Sequence, residues 1–472
     1  VPRVVVHAYS AGGDFGRLRA EFELPDGFGA DVLAEAETVA MDPPAAVAPR
    51  EDATALPLVT IDPPGAKDLD QAMALERRGE GFRVHYAIAD LGGFVRPGGR
   101  LDREARRRGQ TLYLPDGNVP LHPPVLSEGA ASLLPGETRR AVLWTIDLDS
   151  GGEPTATRVR RALVRSTARF DYESVQAAFA TGTPHPSIEP LPALGRLRRE
   201  LAVHRGAVEP QLPEQAIGGD AGDGWVLGMR PRNPVDAWNA EISLLTGMAA
   251  AGIMIEAGIG VLRTLPDPDE ESVNWLRRSA QALGIPWPAG TSVSELLAGL
   301  DPALPESMAL YTCSTRLLRG AGYTSFAGGA PDSTSHAGIG APYAHVTAPI
   351  RRLVDRFATE VCLAVSAGAE VPGWVQAALP ELPSLMSTSD GLAARVERAC
   401  LDQVEAWMLA ERVGSTFEAV VLRAEEARAE ILVEDPPVMG RCAGANLPEG
   451  ERITVRLTAV DVERRKVSFE RA

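Results

Sequence analysis

The sequence predicts an α+β fold: a mixed sheet with helices, preceded by a short helical module and followed by a small all-β barrel of OB type. Three observations lead there. Apolar and polar positions alternate through residues 56–150, as half-buried strands require. Apolar positions then recur at helical spacing in several segments between residues 170 and 411. From about residue 413 the pattern returns to short strands separated by turns. The chain of 472 residues is long enough for two to four domains, and a hydrophobic fraction of 45% supports a large core.

Taken in order, FGADVLAEAETVAM (28–41) has helical spacing and DPPAAVAP after it is a linker, so residues 1–50 are expected to form a small separate module of helix-turn-helix type. LPLVTID, FRVHYAIADLGGFV and AVLWTIDLD predict strands, broken at PPGAK and RPGGR. FDYESVQAAFATG and LGRLRRELAVHRGAV predict helices, as do residues 238–262, 345–369 and 389–411. GLDPALPESM and PGWVQAALPELPSLMSTSD are rich in proline and are expected to be connections. The tail, 412–472, holds about five short strands, which suits a small barrel. Residues 51–411 are then the main domain.

The formal net charge of −16 argues against a surface that binds nucleic acid by bulk charge, although a local groove can still be basic. Lys67 and Lys466 are the only lysines, and the arginines that replace them suit bidentate phosphate contacts. Cys313, Cys362, Cys400 and Cys442 are too far apart for a zinc motif, and no disulfide framework is needed, so a reducing cytoplasm is expected. No secretory signal is read at the start. LLTGMAAAGIMIEAGIGVL (244–262) is nearly long enough to span a bilayer, but Glu256 and its many small residues make it a buried core helix.

The chemistry is concentrated in VTIDPPGAKDLDQA, which places Asp62, Asp68 and Asp70 within nine positions. So many carboxylates repel one another unless a cation sits between them. Asp62 ends an apolar strand, and the PPGAK turn lets the chain fold back. Asp68 and Asp70, two apart in an extended loop, point the same way. Converging carboxylates make an all-oxygen site of the kind hard divalent ions prefer, Mg²⁺ or Mn²⁺. Such sites serve phosphodiester hydrolysis.

TIDPPGAKDLDQA resembles the signature of the RNase II family. The resemblance continues through VHYAIADLGGFV, LDREARRRGQTLYLPDGNVPLHPPVLSEGAASLLPGETRRA, NAEISLLTGMAA, YAHVTAPIRRLVDRF and AARVERAC, in the family's order across about 350 residues. It implies an α+β RNB catalytic domain built around an RNA tunnel and a C-terminal S1-type OB fold. The implied activity is metal-dependent 3′-to-5′ hydrolysis of single-stranded RNA to nucleoside 5′-monophosphates, by a cytoplasmic monomer with no stable protein partner and no membrane.

The resemblance also assigns roles. Asp62, Asp68 and Asp70 match three of the family's four acidic positions, with Asp70 nearest the chemistry. Arg351 matches the catalytic arginine, whose guanidinium stabilises charge growing on the phosphate. Arg352 is placed to reach a neighbouring phosphate. Glu397 matches a glutamate near the site, and Tyr113 the aromatic that stacks on the 3′-terminal bases. Tyr172 and Glu241 match positions that read the ribose 2′-hydroxyl, which disfavours a DNA exonuclease. His85, His336 and His345 are expected to make supporting hydrogen bonds rather than to ligate metal. The run REARRRGQ and Arg158, Arg160, Arg161, Arg165 and Arg169 are open to two readings, an RNA path or solvated faces.

Three departures stand out. Gln71 occupies the fourth acidic position; its carbonyl can ligate but brings no charge, which leaves open a catalytically impaired RNA-binding regulator. No aromatic stands in 206–215, where a second stacking ring is expected. The first 50 residues cannot hold the two cold-shock OB folds usual in the family, so RNA anchoring falls to the S1-type tail and the tunnel.

Overall fold

The computed structural model describes residues 13–44, 49–212, 214–220, 224–230 and 233–472. Residues 1–12 of the expected N-terminal module, 45–48 of its linker and Pro213 in the stretch lacking an aromatic lie outside the described residues. The module's helices are α1 (Gly16–Glu21) and α2 (Ala30–Met41). They do not pair with each other. Phe15 packs edge-on against Trp225 and Trp407, and Leu18 lies in the same core, which is shared with the C-terminal barrel. Val32, Ala36 and Val39 of α2 pack instead with Leu58, Leu91 and Leu101 under the main sheet. Among the described residues no separate helix-turn-helix unit is found, because the two apolar faces serve different cores. Salt bridges complete the placing of α1: Arg19 to Asp116 at 2.6 Å, and Arg465 to Glu21 at 2.7 Å.

The main sheet is built from β1 (Glu51–Asp52), β2 (Leu58–Ile61), β3 (Gln71–Arg78), β4 (Gly81–Ala89), β7 (Thr138–Leu148) and β8 (Pro154–Phe170). Between β4 and β7 lie α3 (Arg100–Arg108) and a small hairpin, β5 (Leu112–Leu114) with β6 (Gly117–Val119). The sheet order is β1-β8-β2-β3-β4-β7, and β8 also pairs with β7. Residues 154–165 of β8 run antiparallel to β7, and residues 166–170 run parallel to β2. One long strand thus curls the sheet back on itself. Its core face holds Tyr86 opposite Trp144, both fully buried. Truncating a ring as large as Trp144 to alanine would cost about 3–5 kcal/mol.

α4 (Tyr172–Ala180) follows β8 at once, capped by Asp171, which accepts from Ser174 N at 2.7 Å. Next come α5 (Leu191–His204), the hairpin β9 (Glu214–Asp220) and β10 (Gly224–Arg230), and α6 (Pro234–Ala257). α6 is long and apolar enough to cross a membrane by length and composition alone. Here Ile242, Leu245, Ala250 and Met254 are fully buried in the main core, as expected of a core helix. The expected helix of 238–262 stops early. Gly258 takes φ 68°, and the β-branched Ile259 and Val261 continue as strand β11 (Ile259–Thr264).

α7 (Glu270–Ala282), α8 (Val293–Ala298) and α9 (Pro305–Ser314) form a helical lobe, after which β12 (Gly322–Ala327) pairs with β11. The helix expected over 345–369 is only α10 (Leu353–Ser366). Pro349 disfavours helix before it, and the N–H groups of Ala348 and Ile350 go to the carboxylates of Asp355 and Asp70. Conversely, two proline-rich stretches expected to be connections carry helix. α9 begins at Pro305, and α11 (Gly373–Ala378) and the first turns of α12 (Leu382–Leu409) lie in the other. Proline is tolerated in a first turn, where its missing N–H has no intrahelical partner to lose. The tail is a closed five-stranded barrel as expected: β13 (Thr416–Ala424), β14 (Arg428–Val433), β15 (Val438–Ala443), β16 (Arg452–Asp461) and β17 (Lys466–Arg471), in order β13-β14-β15-β17-β16. All four cysteines are free and buried.

Candidate active site

The site forms where the parallel strands β2 and β8 end. Asp62 follows β2 and donates its backbone N–H to Phe170 O at 3.0 Å, so Asp62 and Tyr172 emerge side by side. The loop from Asp62 turns at Gly65, at φ 83°, and returns to β3 through Asp68 and Asp70. Leu69 between them is fully buried, and its N–H is held by Ser132 Oγ at 3.0 Å. That anchor fixes the loop. Asp70 is 3% exposed; Oδ1 accepts from Ile350 N at 2.7 Å, and Oδ2 lies 3.6 Å from Arg351 Nε. The loop carrying Arg351 is pinned by Thr111 N donating to Arg351 O and Leu353 N donating to Gly109 O, both at 2.9 Å.

Burial dominates the electrostatics. It raises Asp62 to about 6, against the opposing pull of Arg169 and Arg351. It raises Asp70 well above the ordinary carboxylate range, with Arg351 and the Ile350 N–H opposing. Asp62 Oδ2 is buried without a hydrogen-bond partner. A buried, orphaned carboxylate oxygen beside two further aspartates lacks positive charge, and a hard divalent cation would supply it. The donor chemistry therefore fits such an ion on Asp62, Asp68 and Asp70. Among the described residues, however, no three acidic, imidazole or thiolate groups already enclose a metal position. Gln71 opens β3, and its Oε1 accepts a short hydrogen bond from the Tyr86 hydroxyl.

Beside the carboxylates is a cleft of about 300 Å³ lined by Gln110, Tyr113, Arg351, Arg352, Val396 and Glu397. Tyr113 is 52% exposed, and its hydroxyl reaches Asp68 Oδ2 at 3.3 Å. The ring stands free at the mouth, as a stacking platform must. The Arg351 side chain is 46% exposed, so much of its guanidinium faces the cleft. Glu397, on α12, joins the same wall. The structure thus brings Asp62, Asp68, Asp70, Arg351, Tyr113, Tyr172 and Glu397 to one place.

Two expectations change. Arg352 is not free for a phosphate: Nε and Nη2 donate to Asp355 at 2.6 and 2.9 Å, and Asp355 also accepts from Ala348 N. Arg352 braces the loop that presents Arg351. Glu241 does not join Tyr172. Tyr172 lies beside Asn239, and Tyr86 beside Ser243. Two residues along a helix is a rotation of about 200°, so Glu241 faces away from both and is surrounded by Arg198, Arg205, Glu209 and Arg199. Burial raises its carboxyl, and Oε2 has no partner.

Two of the three histidines make ring hydrogen bonds, while the buried Nδ1 of His336 has no partner. His345 shares a 2.9 Å hydrogen bond with Tyr323, His336 packs against Tyr343, and His85 sits on β4 beside Thr145. The arginine run of α3 is spent on Asp102, Glu104 and Glu381, Arg160 on Glu51, and Arg161 on Asp90 and Glu360. Of the β8 series, Arg169 bears on Asp62. Sequence reasoning missed Tyr86, Asn239, Ser243 and Thr347. The signal was present: Asn239 and Ser243 are polar residues four apart, on one face of α6.

Comparison with known proteins bears on the domains and the fold. Residues 50–364 match the RNB domain, and residues 415–472 match the RNase II-type exonuclease C-terminal S1 domain. The chain is 28% identical over 479 residues to ribonuclease R of Escherichia coli, covering 90% of this chain and 58% of the relative. It is 27% identical over 492 residues to ribonuclease R of Aquifex aeolicus, covering 95% and 69%. It thus spans little more than half the length of the Escherichia coli protein. The fold matches Mycoplasma genitalium RNase R in complex with ribose-methylated single-stranded RNA, with a TM-score of 0.86 at 18% identity over 96% of this chain and 77% of that one. It also matches yeast Ssd1, a pseudonuclease, with a TM-score of 0.71 at 17% identity over 90% and 53%. An RNB domain followed by an RNase II-type S1 barrel places this chain in the RNase II family of exoribonucleases.

Proposed function

We propose that this protein is a metal-dependent 3′-to-5′ exoribonuclease that hydrolyses single-stranded RNA to nucleoside 5′-monophosphates, with Mg²⁺ or Mn²⁺ as the cation. The observation that carries the reading is the meeting of Asp70 and Arg351 at the foot of a cleft walled by Tyr113. A terminal base stacks on Tyr113 without regard to its identity. The exposed edge of Arg351 holds the scissile phosphate and stabilises the charge that grows on its oxygens. Arg352 and Asp355 keep that guanidinium in place. Asp62, Asp68 and Asp70 would hold the cation, which when bound supplies Lewis-acid activation of water. Glu397, on the cleft wall with Tyr113 and Arg351, would contact the terminal nucleotide.

A second reading has its own support. Gln71 brings no charge where the family has an acid, and its oxygen is already engaged by Tyr86. An RNA-binding regulator without cleavage would fit that, and the pseudonuclease Ssd1 shares the fold. Incubating 5′-labelled single-stranded RNA with the pure protein and Mg²⁺ or Mn²⁺ decides between them. A ladder ending in short oligomers supports the enzyme. Tight binding with intact RNA supports the regulator.

A further inference from the structure

Tyr86 is fully buried on β4, within reach of the Asp62 charge. Its hydroxyl donates to Gln71 Oε1, and Ser243 on α6 lies beside it. Ser243 in turn shares a 2.8 Å hydrogen bond with Thr347 Oγ1. A chain of four polar side chains therefore runs from the loop that presents Arg351, through α6 and β4, to the first residue of β3. A phenol has one proton to give, and Tyr86 gives it to Gln71. Oε1 is also the one atom of Gln71 that could ligate a hard cation, because the amide nitrogen only donates.

These two uses of Oε1 compete. Turning Oε1 to a cation would leave a buried phenolic donor unpaired, which is costly. The return would be small, since a neutral amide oxygen is a weaker ligand for a hard cation than a carboxylate. We propose that Tyr86 holds Gln71 out of the metal's coordination shell. Asp62, Asp68 and Asp70 are then the chain's whole protein ligand set, and Gln71 presents its N–H donors at the edge of the site. The inference rests on the cation reading of the proposed function and specifies how this chain fills the fourth acidic position.

The test is Mn²⁺ binding to the RNA-free protein, read from the electron paramagnetic resonance signal of the free ion. Gln71→Ala is expected to leave the Mn²⁺ dissociation constant within about twofold of wild type. Tyr86→Phe frees Oε1 and is expected to tighten binding about threefold or more, and to change nothing when combined with Gln71→Ala. Weakening by tenfold or more in Gln71→Ala would show that Gln71 is a ligand and overturn the inference, while leaving the cation reading intact. Unchanged affinity in Tyr86→Phe would overturn it too. If wild type binds no Mn²⁺, the cation reading fails and the inference falls with it. Gln71 is partly exposed at a strand start, so Gln71→Ala decides the matter even if Tyr86→Phe does not fold.

Discussion

Asp70 and Arg351 meet across 281 positions of sequence with two contacts to one carboxylate: Arg351 Nε stands 3.6 Å from Oδ2, while the N–H of the preceding Ile350 donates to Oδ1 at 2.7 Å. The carboxylate therefore positions the backbone of the arginine loop as well as facing the arginine itself. The guanidinium keeps a free edge toward the cleft.

Asp70→Asn keeps the shape and the acceptor for Ile350 N but removes the charge. Cleavage is expected to fall at least about a hundredfold, roughly 2.7 kcal/mol in barrier. RNA affinity by gel shift should stay within about threefold, since stacking and Arg351 remain. Equal losses in binding and turnover would mean that the substitution disturbs the fold instead.

Tyr113 separates into two roles. Tyr113→Leu removes the platform and should weaken RNA binding about tenfold. Tyr113→Phe removes only the contact to Asp68 and should bind within about twofold of wild type. Fluorescence anisotropy with short single-stranded RNA measures both. Matching losses in the two variants would assign the effect to the hydroxyl.

Sugar selection is expected at Tyr172 and not at Glu241. DNA of the same sequence should bind and resist cleavage, and an RNA with deoxyriboses near its 3′ end should stall where those sugars reach the site. Tyr172→Phe should narrow the difference between RNA and DNA. Glu241→Ala should leave it unchanged, because that carboxylate faces α5. Single-turnover rates on the chimeras provide the readout, and a discrimination lost only in Glu241→Ala would reverse the assignment.

Glu405 gives a stability signature. It is buried at the junction of α12 and the barrel, where Oε1 accepts from Gln215 Nε2 at 2.8 Å and Met439 N at 3.0 Å. Burial raises its carboxyl to about 7. The folded state thus binds this proton more tightly than the unfolded state. The contribution is fully present below the ordinary glutamate value and is lost as pH rises toward 7. The charged form costs on the order of 2–3 kcal/mol. Glu405→Gln keeps the acceptor oxygen and should stabilise the protein at about pH 8 by that order, with almost no gain at about pH 5. Denaturant melts at the two pH values check this, and an equal gain at both would remove the explanation.

Much of the fold was legible because its signals are local. Alternation marked β2, β4 and β7, and the five short strands of the tail closed as a barrel. The errors arose where a distant partner decided the outcome. Residues 345–352 look helical by spacing, yet their N–H groups serve Asp70 and Asp355. The helix expected to reach residue 262 gives way at Gly258 to a strand that needs β12, more than sixty residues later, to exist. In the site, motif matching found the carboxylates, Arg351 and Tyr113. It could not show that Arg352 is committed to Asp355, or that Glu241 points away, since both depend on side-chain direction. Tyr86 was hidden for a similar reason: in a strand pattern, a tyrosine beneath the cluster reads like any other core ring.

The bond between Glu21 and Arg465 joins residues 444 apart, and this has a consequence in time rather than in space. During synthesis, the apolar face of Phe15, Leu18 and Leu24 is made before the residues it docks against. The partners of α1 and this face, Trp225, Trp407 and Arg465, follow in stages over about the next 450 residues. At about 5–20 residues per second, that face waits on the order of tens of seconds before it can be covered. A chain cut short before Trp225 leaves that face without either indole, so a fully docked α1 marks a chain whose synthesis has passed Arg465.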